Sequence, residues 1–351
     1  MDSITQAALG ATLGGAVLGR PLGRKALIGG ALLGTLPDMD VLISHGSAIA
    51  DFTGHRGFSH SLLVLTVLAA LMTLGLSRWR RTRHIPAHLW WWFCFLPLIT
   101  HPLLDALTAY GTRLFWPLNS PPIALDTLFI IDPLYTLPLL LGVLITLVRP
   151  SLHRSVVIGL ALSTLYMGWA ITAKQIIRAS ISPVLIDHRW QQADRFIQPM
   201  PMTTFLWRVV VLEGDRRHES YVSIFDDAPP RFDTFRRFPE NAVAATHWPE
   251  ARRLLWFTQG RLMFRAQGDQ LIATDLRMGL PGREAFRFAI ARRDNTHWTP
   301  VDSTQAQGPG YSADQLSRVW QRLFTPGALC PATYAPPALV IERQCQPPAD
   351  R

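Results

Sequence analysis

Long apolar runs divide the first half of the chain. Three of them contain no Lys, Arg, Asp or Glu: residues 57–77, 84–104 and 155–173. Each is long enough for a helix that crosses a bilayer, which needs about 17 to 25 mostly apolar residues. Residues 133–148 are slightly short, residues 3–19 are rich in Gly and Ala, and residues 26–37 extend through Asp38 and Asp40. The pattern therefore predicts about six membrane-spanning helices.

The second half has a different pattern of short β-rich runs between Gly, Asp or Arg turns. The runs are FLWRVVVLEG, SYVSIFD, RLLWFTQG, RLMFRAQG, QLIATDL and AFRFAIARR. LEGDRRHES predicts a hairpin turn, and residues 312–324 have apolar residues at helical spacing. We therefore predict a multi-pass α-helical membrane domain at residues 1–174. A soluble, mainly antiparallel β (α+β) domain with one or two helices follows at residues 175–351.

The distribution of charge orients the predicted helices. Basic residues occupy alternate loops: Arg20, Arg24 and Lys25, then Arg78, Arg80, Arg81 and Arg83, then Arg149 and Arg154. Loops rich in Lys and Arg stay in the cytoplasm, so both termini and the second domain are predicted on the outer side. The chain opens with Asp2 rather than the basic residues of a signal peptide. The spacing of Gly10 and Gly14 permits close packing of the first two helices.

Acids and histidines gather at the outer ends of the predicted helices. His101 and Asp105 are four residues apart and share one helical face. Imidazole and carboxylate groups are ligands for zinc, iron and manganese. The sequence predicts a divalent metal ion, with zinc as the first candidate and manganese or iron as alternatives. Six residues are the candidate ligands: His55, His60, His101, Asp38, Asp40 and Asp105.

Structural interpretations of the same residues stay open. Asp38 and Asp40 are equally suited to capping or ending a helix. His101 and Asp105 can form a bonded pair in which the acid orients the imidazole. The two histidines of GHRGFSHS can be interfacial side chains. Asp126 is read as a loop acid rather than a ligand, as is Asp132.

Catalysis by a bound metal ion needs an open position where water becomes acidic enough to attack. A free carboxylate among Asp38, Asp40 and Asp105 is the candidate general base. Arg56 and Arg113 lie beside the cluster in sequence and are candidates for binding a phosphate or carboxylate of the substrate. The alternative for either arginine is a salt bridge to a nearby aspartate.

Five segments in a fixed order resemble the YdjM family of bacterial inner-membrane proteins, described as metal-dependent hydrolases. They are MDSITQAALGA, PDMD, HRGFSHSL, THPLLDALTAYGTRLFWP and FIIDPLYTL. The resemblance covers residues 1 to about 140, and PMPMTTFLWRVV resembles the longer members. It implies a multi-pass hydrolase of the bacterial inner membrane, with the second domain in the periplasm. The family's His and Asp positions fall on the six candidate ligands. Members often carry His after the first Thr, where this chain has Gln6, so Gln6 is not a predicted ligand.

The second domain contains 22 Arg and no Lys. Its 18 acids leave a net charge of only +4 (22 − 18), and the arginines are not clustered. This pattern disfavours nucleic-acid binding and suits a solvated sheet or contact with anionic lipid headgroups. Cys330 and Cys345 can form a disulfide in an oxidising compartment. Cys94 lies in an apolar run and is interpreted as a packing residue.

Two functions from different classes fit these observations. The first is a metal-dependent hydrolase that acts at the outer leaflet on an amphipathic, lipid-like ester or phosphoester. The second is a non-enzymatic membrane protein that binds metal, transports a solute or acts as a scaffold. Transporters place polar groups near the bilayer midplane, often on inverted repeats. The polar groups of this chain gather at one edge, and no internal repeat is visible, so the hydrolase is the preferred hypothesis.

Overall fold

The computed structural model describes residues 1–294, 297–306 and 313–346. The chain forms two compact units. The first contains Met1–Ile43 and Gly54–Ala170, and the second contains Ser44–Thr53 and the chain from Ile171 onward. Residues 44–53, which the sequence analysis placed with the helical half, therefore pack with the second unit.

The first unit consists of helices, as the apolar runs predict. Its helices are α1 (Ser3–Leu22), α2 (Arg24–Thr35), α4 (Leu62–Arg78), α5 (Ala87–Ala106), α6 (Pro133–Val148) and α7 (Arg154–Asp187), which continues into the second unit. Helix α1 packs against α2, α5 and α6, and α4 packs against α5. Short 3₁₀ helices at Leu36–Leu42, Phe58–His60 and Pro150–Leu152 connect these elements.

Glycines bring α1 and α2 into backbone contact, as the Gly10 and Gly14 spacing predicts. A Cβ atom on Gly34 would lie 2.6 Å from the Gln6 carbonyl oxygen and 2.9 Å from the Gly10 Cα. A Cβ atom on Gly14 would lie 2.9 Å from the Gly30 Cα. Real Cβ atoms do not approach so closely, so only glycine permits this helix crossing.

Two 3₁₀ helices lie where helices begin or end beside the candidate ligands. The helix predicted at residues 26–37 does not extend through Asp38 and Asp40, because α2 ends at Thr35 and the chain continues as the 3₁₀ helix Leu36–Leu42. His60 ends the 3₁₀ helix Phe58–His60. The N-cap of α4 is the next residue, Ser61, whose Oγ accepts a bond from the Val64 N–H.

One helix among the described residues, α7, is long and apolar enough to cross a membrane by itself. The segment Ala48–His60 followed by Leu62–Arg78 passes the same test only as one span bent by 48°. Helix α6 is apolar but shorter. The six crossings therefore stay a prediction.

The second unit is built on antiparallel sheets, as predicted. The strands are β1 (Asp194–Pro199), β2 (Leu206–Glu213), β3 (Arg216–Ser223), β4 (Asp233–Arg236), β5 (Leu262–Gln267), β6 (Gln270–Asp275), β7 (Gly279–Leu280), β8 (Arg283–Glu284), β9 (Arg287–Asp294), β10 (His297–Gln305) and β11 (Val340–Glu342). They form sheets in the orders β1-β2-β3-β4-β11, β10-β9-β6-β5 and β7-β8. The predicted hairpin is β2–β3, which pairs Glu213 with Arg216.

Helices α3 (Ala48–Gly54), α8 (Pro239–Ala245), α9 (Pro249–Thr258) and α10 (Ala313–Arg322) complete this part of the structure. The late helix predicted at residues 312–324 is α10, although Ser312 lies outside the described residues. The strand predicted for RLLWFTQG is wrong, because most of that segment belongs to α9. Pro249 stands in the first turn of α9, and Ala251, Leu254 and Phe257 are buried at helical spacing.

The end of the described chain is fixed at two points. Cys330 and Cys345 form a disulfide, as the sequence allowed. The buried carboxylate of Asp233 accepts backbone N–H bonds from Ala332, Gln344 and Cys345 at 2.9 Å each. The disulfide and the carboxylate thus hold the same two segments together.

Candidate metal centre

Two buried histidines of the first unit face each other. His60 ends the 3₁₀ helix before α4, and His101 lies on α5. Their Nε2 atoms are 3.1 Å apart, and neither residue is exposed to solvent. The sequence predicts both as ligands, and the fold brings them together from positions 41 residues apart.

The protons of both imidazoles are directed away from this contact. His101 Nδ1 lies 2.6 Å from the Gly34 carbonyl oxygen, which can only accept, so Nδ1 carries the proton. His60 Nδ1 lies 2.9 Å from Ser59 Oγ, and that hydroxyl donates to Asp40 Oδ2 at 2.5 Å. Because the hydroxyl proton is used on Asp40, His60 Nδ1 must donate to the serine. In the neutral form of each ring, Nε2 therefore turns a lone pair toward the centre of the cluster.

Two carboxylates complete the group. Asp38 Oδ1 lies 3.4 Å from His60 Nε2 and 3.3 Å from His101 Nε2. Asp105 Oδ2 lies 3.3 Å and 3.6 Å from the same two atoms. These four atoms lie within 4.8 Å of one another. Asp38 is the member with access to solvent, since its side chain is 20% exposed while the other three are buried.

With both imidazoles neutral and both carboxyl groups ionised, four electron-rich atoms converge here. In a buried, low-dielectric site such an arrangement is unfavourable unless a cation or shared protons neutralise it. Neighbouring ligands of a tetrahedral zinc ion bound at 2.0–2.1 Å are separated by roughly 3.3 Å. Five of the six separations among the four donor atoms are 3.1–3.6 Å and match that spacing. The donor set and its geometry thus fit a divalent metal ion.

Arg56 shares Asp105 with the histidines. Its Nε lies 3.1 Å from Asp105 Oδ2, its Nη1 donates to Thr108 Oγ1 at 3.3 Å, and its guanidinium lies 4.8 Å from the Tyr110 ring. The amino group of Met1 contacts Asp105 Oδ1. Arg56, predicted to bind substrate, is therefore buried in the salt bridge that the sequence analysis gave as the alternative.

Two of the six predicted ligands do not join the group of four. Asp40 Oδ1 lies 2.7 Å from His55 Nδ1, and Asp40 Oδ2 accepts the Arg56 backbone N–H at 3.0 Å and the Ser59 hydroxyl. Asp40 and His55 thus form a layer behind His60. The Arg113 backbone N–H donates to the Arg56 carbonyl, so the two candidate substrate-binding arginines are neighbours.

Gln6 contacts the cluster although it was not a predicted ligand. Its Nε2 donates to Asp105 Oδ1 at 3.0 Å and to the His101 carbonyl at 3.2 Å, and the side chain is buried. Ser59 was also not assigned to the site. A polar side chain in the apolar helix α1 was the signal for Gln6, whereas nothing in the spacing of Ser59 indicated its bond to His60.

Asp132, interpreted from the sequence as a loop acid, lies at the start of α6. It is the N-cap of α6 and accepts the N–H bonds of Leu134 and Tyr135 at 3.1 Å and 3.3 Å. Its other oxygen accepts the Tyr166 hydroxyl at 3.0 Å.

Comparison with known proteins gives two matches. The family described as YdjM inner membrane protein matches residues 1–177 of this chain. The inner membrane protein YbcI of Escherichia coli (strain K12) is 35% identical over 114 residues, which are 32% of this chain and 64% of the relative. The chain thus spans just under two thirds of that relative's length. No solved structure matches the chain.

Proposed function

Because this chain belongs to the YdjM inner membrane protein family, we propose that it is a membrane-bound, metal-dependent hydrolase. The observation that carries the proposal is the convergence of His60 Nε2, His101 Nε2, Asp38 Oδ1 and Asp105 Oδ2 in the helical unit. A divalent cation held by these residues would supply Lewis-acid chemistry, polarising a substrate oxygen and making water easier to deprotonate. Zinc suits the nitrogen and oxygen donors, and manganese or iron are the alternatives.

The residues around the four donors have separable tasks in this proposal. Asp105 is paired with Arg56, so His60, His101 and Asp38 Oδ1 would hold the ion, a set of three protein ligands that suits a catalytic site. The second oxygen of Asp38 is the candidate general base, because Asp38 alone among the four has contact with solvent. Asp40 orients His60 through Ser59, and this replaces its predicted role as a ligand or base.

The proposed substrate is an amphipathic ester or phosphoester. The 3₁₀ helix that carries Asp38 also exposes Met39, Val41 and Leu42 on its surface, and the nearby Phe58 is 44% exposed. These apolar side chains suit the acyl part of a lipid that approaches from the bilayer. Arg113 remains the proposed contact for an anionic group of the substrate. Arg56 could contribute only by leaving Asp105.

The test is metal content together with hydrolysis. We would purify the full chain in detergent without chelators and compare wild type, His101→Ala and His88→Ala by elemental mass spectrometry. His88 is the matched control, since it is an exposed histidine on the same helix. Each protein is then assayed with a chromogenic long-chain ester and a chromogenic phosphodiester.

We expect about one equivalent of metal and hydrolysis in wild type and His88→Ala, with both lost in His101→Ala. A folded wild type that holds no metal, even after incubation with zinc, manganese or iron, would contradict the proposal. Bound metal without hydrolysis of either substrate class would instead favour the non-enzymatic metal-binding alternative.

A further inference from the structure

The chain crosses between the two units twice, each time within a few residues in sequence of a residue of the site. It leaves the first unit after Ile43, contributes Ser44–Thr53 to the second unit and returns at Gly54. Site residues lie immediately on both sides of this excursion. Asp40 precedes it by four residues, and His55 follows it by two.

The excursion is anchored in the apolar core of the second unit. Ile49 is fully buried, and Phe52 is 7% exposed. The Phe52 ring lies 5.1 Å from Phe257, 4.6 Å from Phe286 and 5.2 Å from Phe288, measured between ring centroids. Phe52 is thus surrounded by three aromatic rings that the second unit supplies.

Polar contacts fix the backbone of the same segment. The Ile49 N–H donates to Ser303 Oγ on β10 at 3.0 Å. Arg253 on α9 donates to the Ala50 carbonyl at 3.4 Å. Helix α3 has only seven residues. A helix of that length is marginal in isolation, so the surrounding unit must hold its conformation.

The two segments that flank α3 are tied to each other in the site. Asp40 accepts bonds from His55, from the Arg56 backbone and from Ser59. Arg56 has φ +62°, a left-handed conformation that a non-glycine residue adopts when its surroundings impose it. Phe52 is three residues from His55, so the chain between them spans at most about 11 Å. A shift of α3 would therefore move the backbone of His55 and Arg56.

We infer that Phe52 is a positioning residue for the metal centre. Packing of Phe52 holds α3, and α3 is joined by a few residues on each side to the segments whose side chains bond to Asp40. The inference rests on the proposed function for its metal measurement. The conformational part, that packing of Phe52 fixes residues 54–61, does not depend on a metal.

The test compares two Phe→Ala substitutions in the same unit. Phe52→Ala removes the anchor of α3. Phe235→Ala is the matched control, because Phe235 on β4 is fully buried in another cluster of the second unit. Ser303→Ala, which removes only the bond to the Ile49 N–H, covers the case in which Phe52→Ala fails to fold. Phe52→Leu is the conservative variant for rescue. Slow exchange of the amides that pair β2 with β3, read in the same hydrogen-exchange experiment, confirms that the second unit of each variant has folded.

Two readouts are taken on the full-length protein in detergent. Hydrogen exchange, followed by mass spectrometry, measures residues 54–61, where the amides of Arg56, His60 and Ser61 are hydrogen-bonded. Titration with Co²⁺ gives an affinity, and the visible spectrum reports the coordination geometry. A loss of general stability in the second unit would not by itself change that spectrum.

We expect Phe52→Ala to accelerate exchange in residues 54–61, to weaken Co²⁺ binding by roughly tenfold or more and to alter its spectrum. Ser303→Ala should act in the same direction with a smaller effect, and Phe52→Leu should restore most of both signals. Phe235→Ala should leave both readouts at the wild-type value.

Equal exchange of residues 54–61 in Phe52→Ala and wild type would overturn the inference. An equal acceleration in Phe52→Ala and Phe235→Ala would also overturn it, because general destabilisation of the unit would then explain the effect. A wild type that binds no Co²⁺ would contradict the proposed function alone, and the exchange comparison would still decide the role of Phe52.

Discussion

At the scale of single residues, the metal centre depends on where two imidazole protons go. The Gly34 carbonyl takes one and Ser59 takes the other, so the inward-facing nitrogens are free to bind. Such outer partners fix the tautomer and the ring orientation of a metal-binding histidine. The residues that set the chemistry are thus partly ones that bind no metal.

The substitution Ser59→Ala tests this arrangement. It leaves His60 Nδ1 without its acceptor, so the ring can turn or change tautomer, and we expect metal affinity to fall by about tenfold. Ser77→Ala is the control, because its hydroxyl donates to the Leu74 carbonyl at the far end of α4. Competition with a calibrated chelator measures the affinity. An affinity unchanged in both variants would show that Asp40 alone is able to orient His60.

His218, on β3 of the second unit, makes the stability of that unit sensitive to acid. Burial lowers its pKa below the ordinary value of 6.5, and Arg216 and His188 act in the same direction, while Glu213 opposes them. The folded protein therefore binds fewer protons at this site than the unfolded chain does. This group's contribution to stability is complete above about pH 6.5 and is lost as the pH falls.

We expect the melting temperature of wild type to fall more between about pH 7.5 and pH 5.5 than that of His218→Gln. The exposed His247 gives the control His247→Gln, which should follow wild type. Circular dichroism of the detergent-solubilised protein measures the transition. Parallel curves for wild type and His218→Gln would contradict the assignment.

Much of the site could be predicted from residue types. The sequence could not tell the four converging donors from Asp40 and His55, which lie behind them. His101 and Asp105 are four residues apart in the sequence and share a helical face, so their proximity follows from that spacing alone. Asp38 and Asp40 are the same residue type two positions apart, and only the fold decides which one faces His101. His55 and His60 have the same ambiguity. Arg56 looked like a substrate contact because its partner, Asp105, is 49 residues away.

At the scale of elements, the glycine contact between α1 and α2 positions two residues that bond to the metal centre. It brings the backbone of Gly34 close to α1, and the carbonyl of that residue accepts the proton of His101. The same contact places Gln6 beside Asp105. Small residues therefore serve both helix packing and ligand orientation.

Gly34→Ala should separate the two helices. The added Cβ would meet the Gln6 carbonyl and the Gly10 Cα, and such overpacking costs typically 1–3 kcal/mol. We expect a lower melting temperature together with weaker metal binding, since the acceptor for His101 moves. Gly19→Ala on α1 is the control, because its Cβ would point into open space. Equal stability of the two variants would show that α1 and α2 can move apart without a cost in stability.

Helices and strands were easier to predict than the site, and the one wrong strand shows where prediction from local residue types fails. Apolar runs without charge indicate α4, α5 and α7 whatever the tertiary structure is. RLLWFTQG, in contrast, combines aromatic and aliphatic residues that suit either a strand or a buried helix. Pro249 and Glu250 precede it and favour a helix start, and this signal outweighs the local β propensity.

At the scale of the whole molecule, membrane topology is the main prediction to test. Arginines in alternate loops predict that residue 81 lies in the cytoplasm and the second unit outside. A disulfide in the second unit agrees with an oxidising compartment. We expect a membrane-impermeant maleimide to label Asp227→Cys in intact spheroplasts and to label Arg81→Cys only after lysis, each in a Cys94→Ala background. The reverse pattern would invert the topology, and equal labelling before lysis would contradict the alternate loops.

The burial of α3 in the second unit also sets an order of events during synthesis. Ile49 and its partner Ser303 are 254 residues apart. Ribosomes add about 5 to 20 residues per second, so roughly 13 to 50 s pass between the emergence of one and the other. During that interval Ile49 and Phe52 have no core to enter, and the segments beside them are not yet held. We expect the nascent chain to stay unable to retain metal until its C-terminal half has been translated.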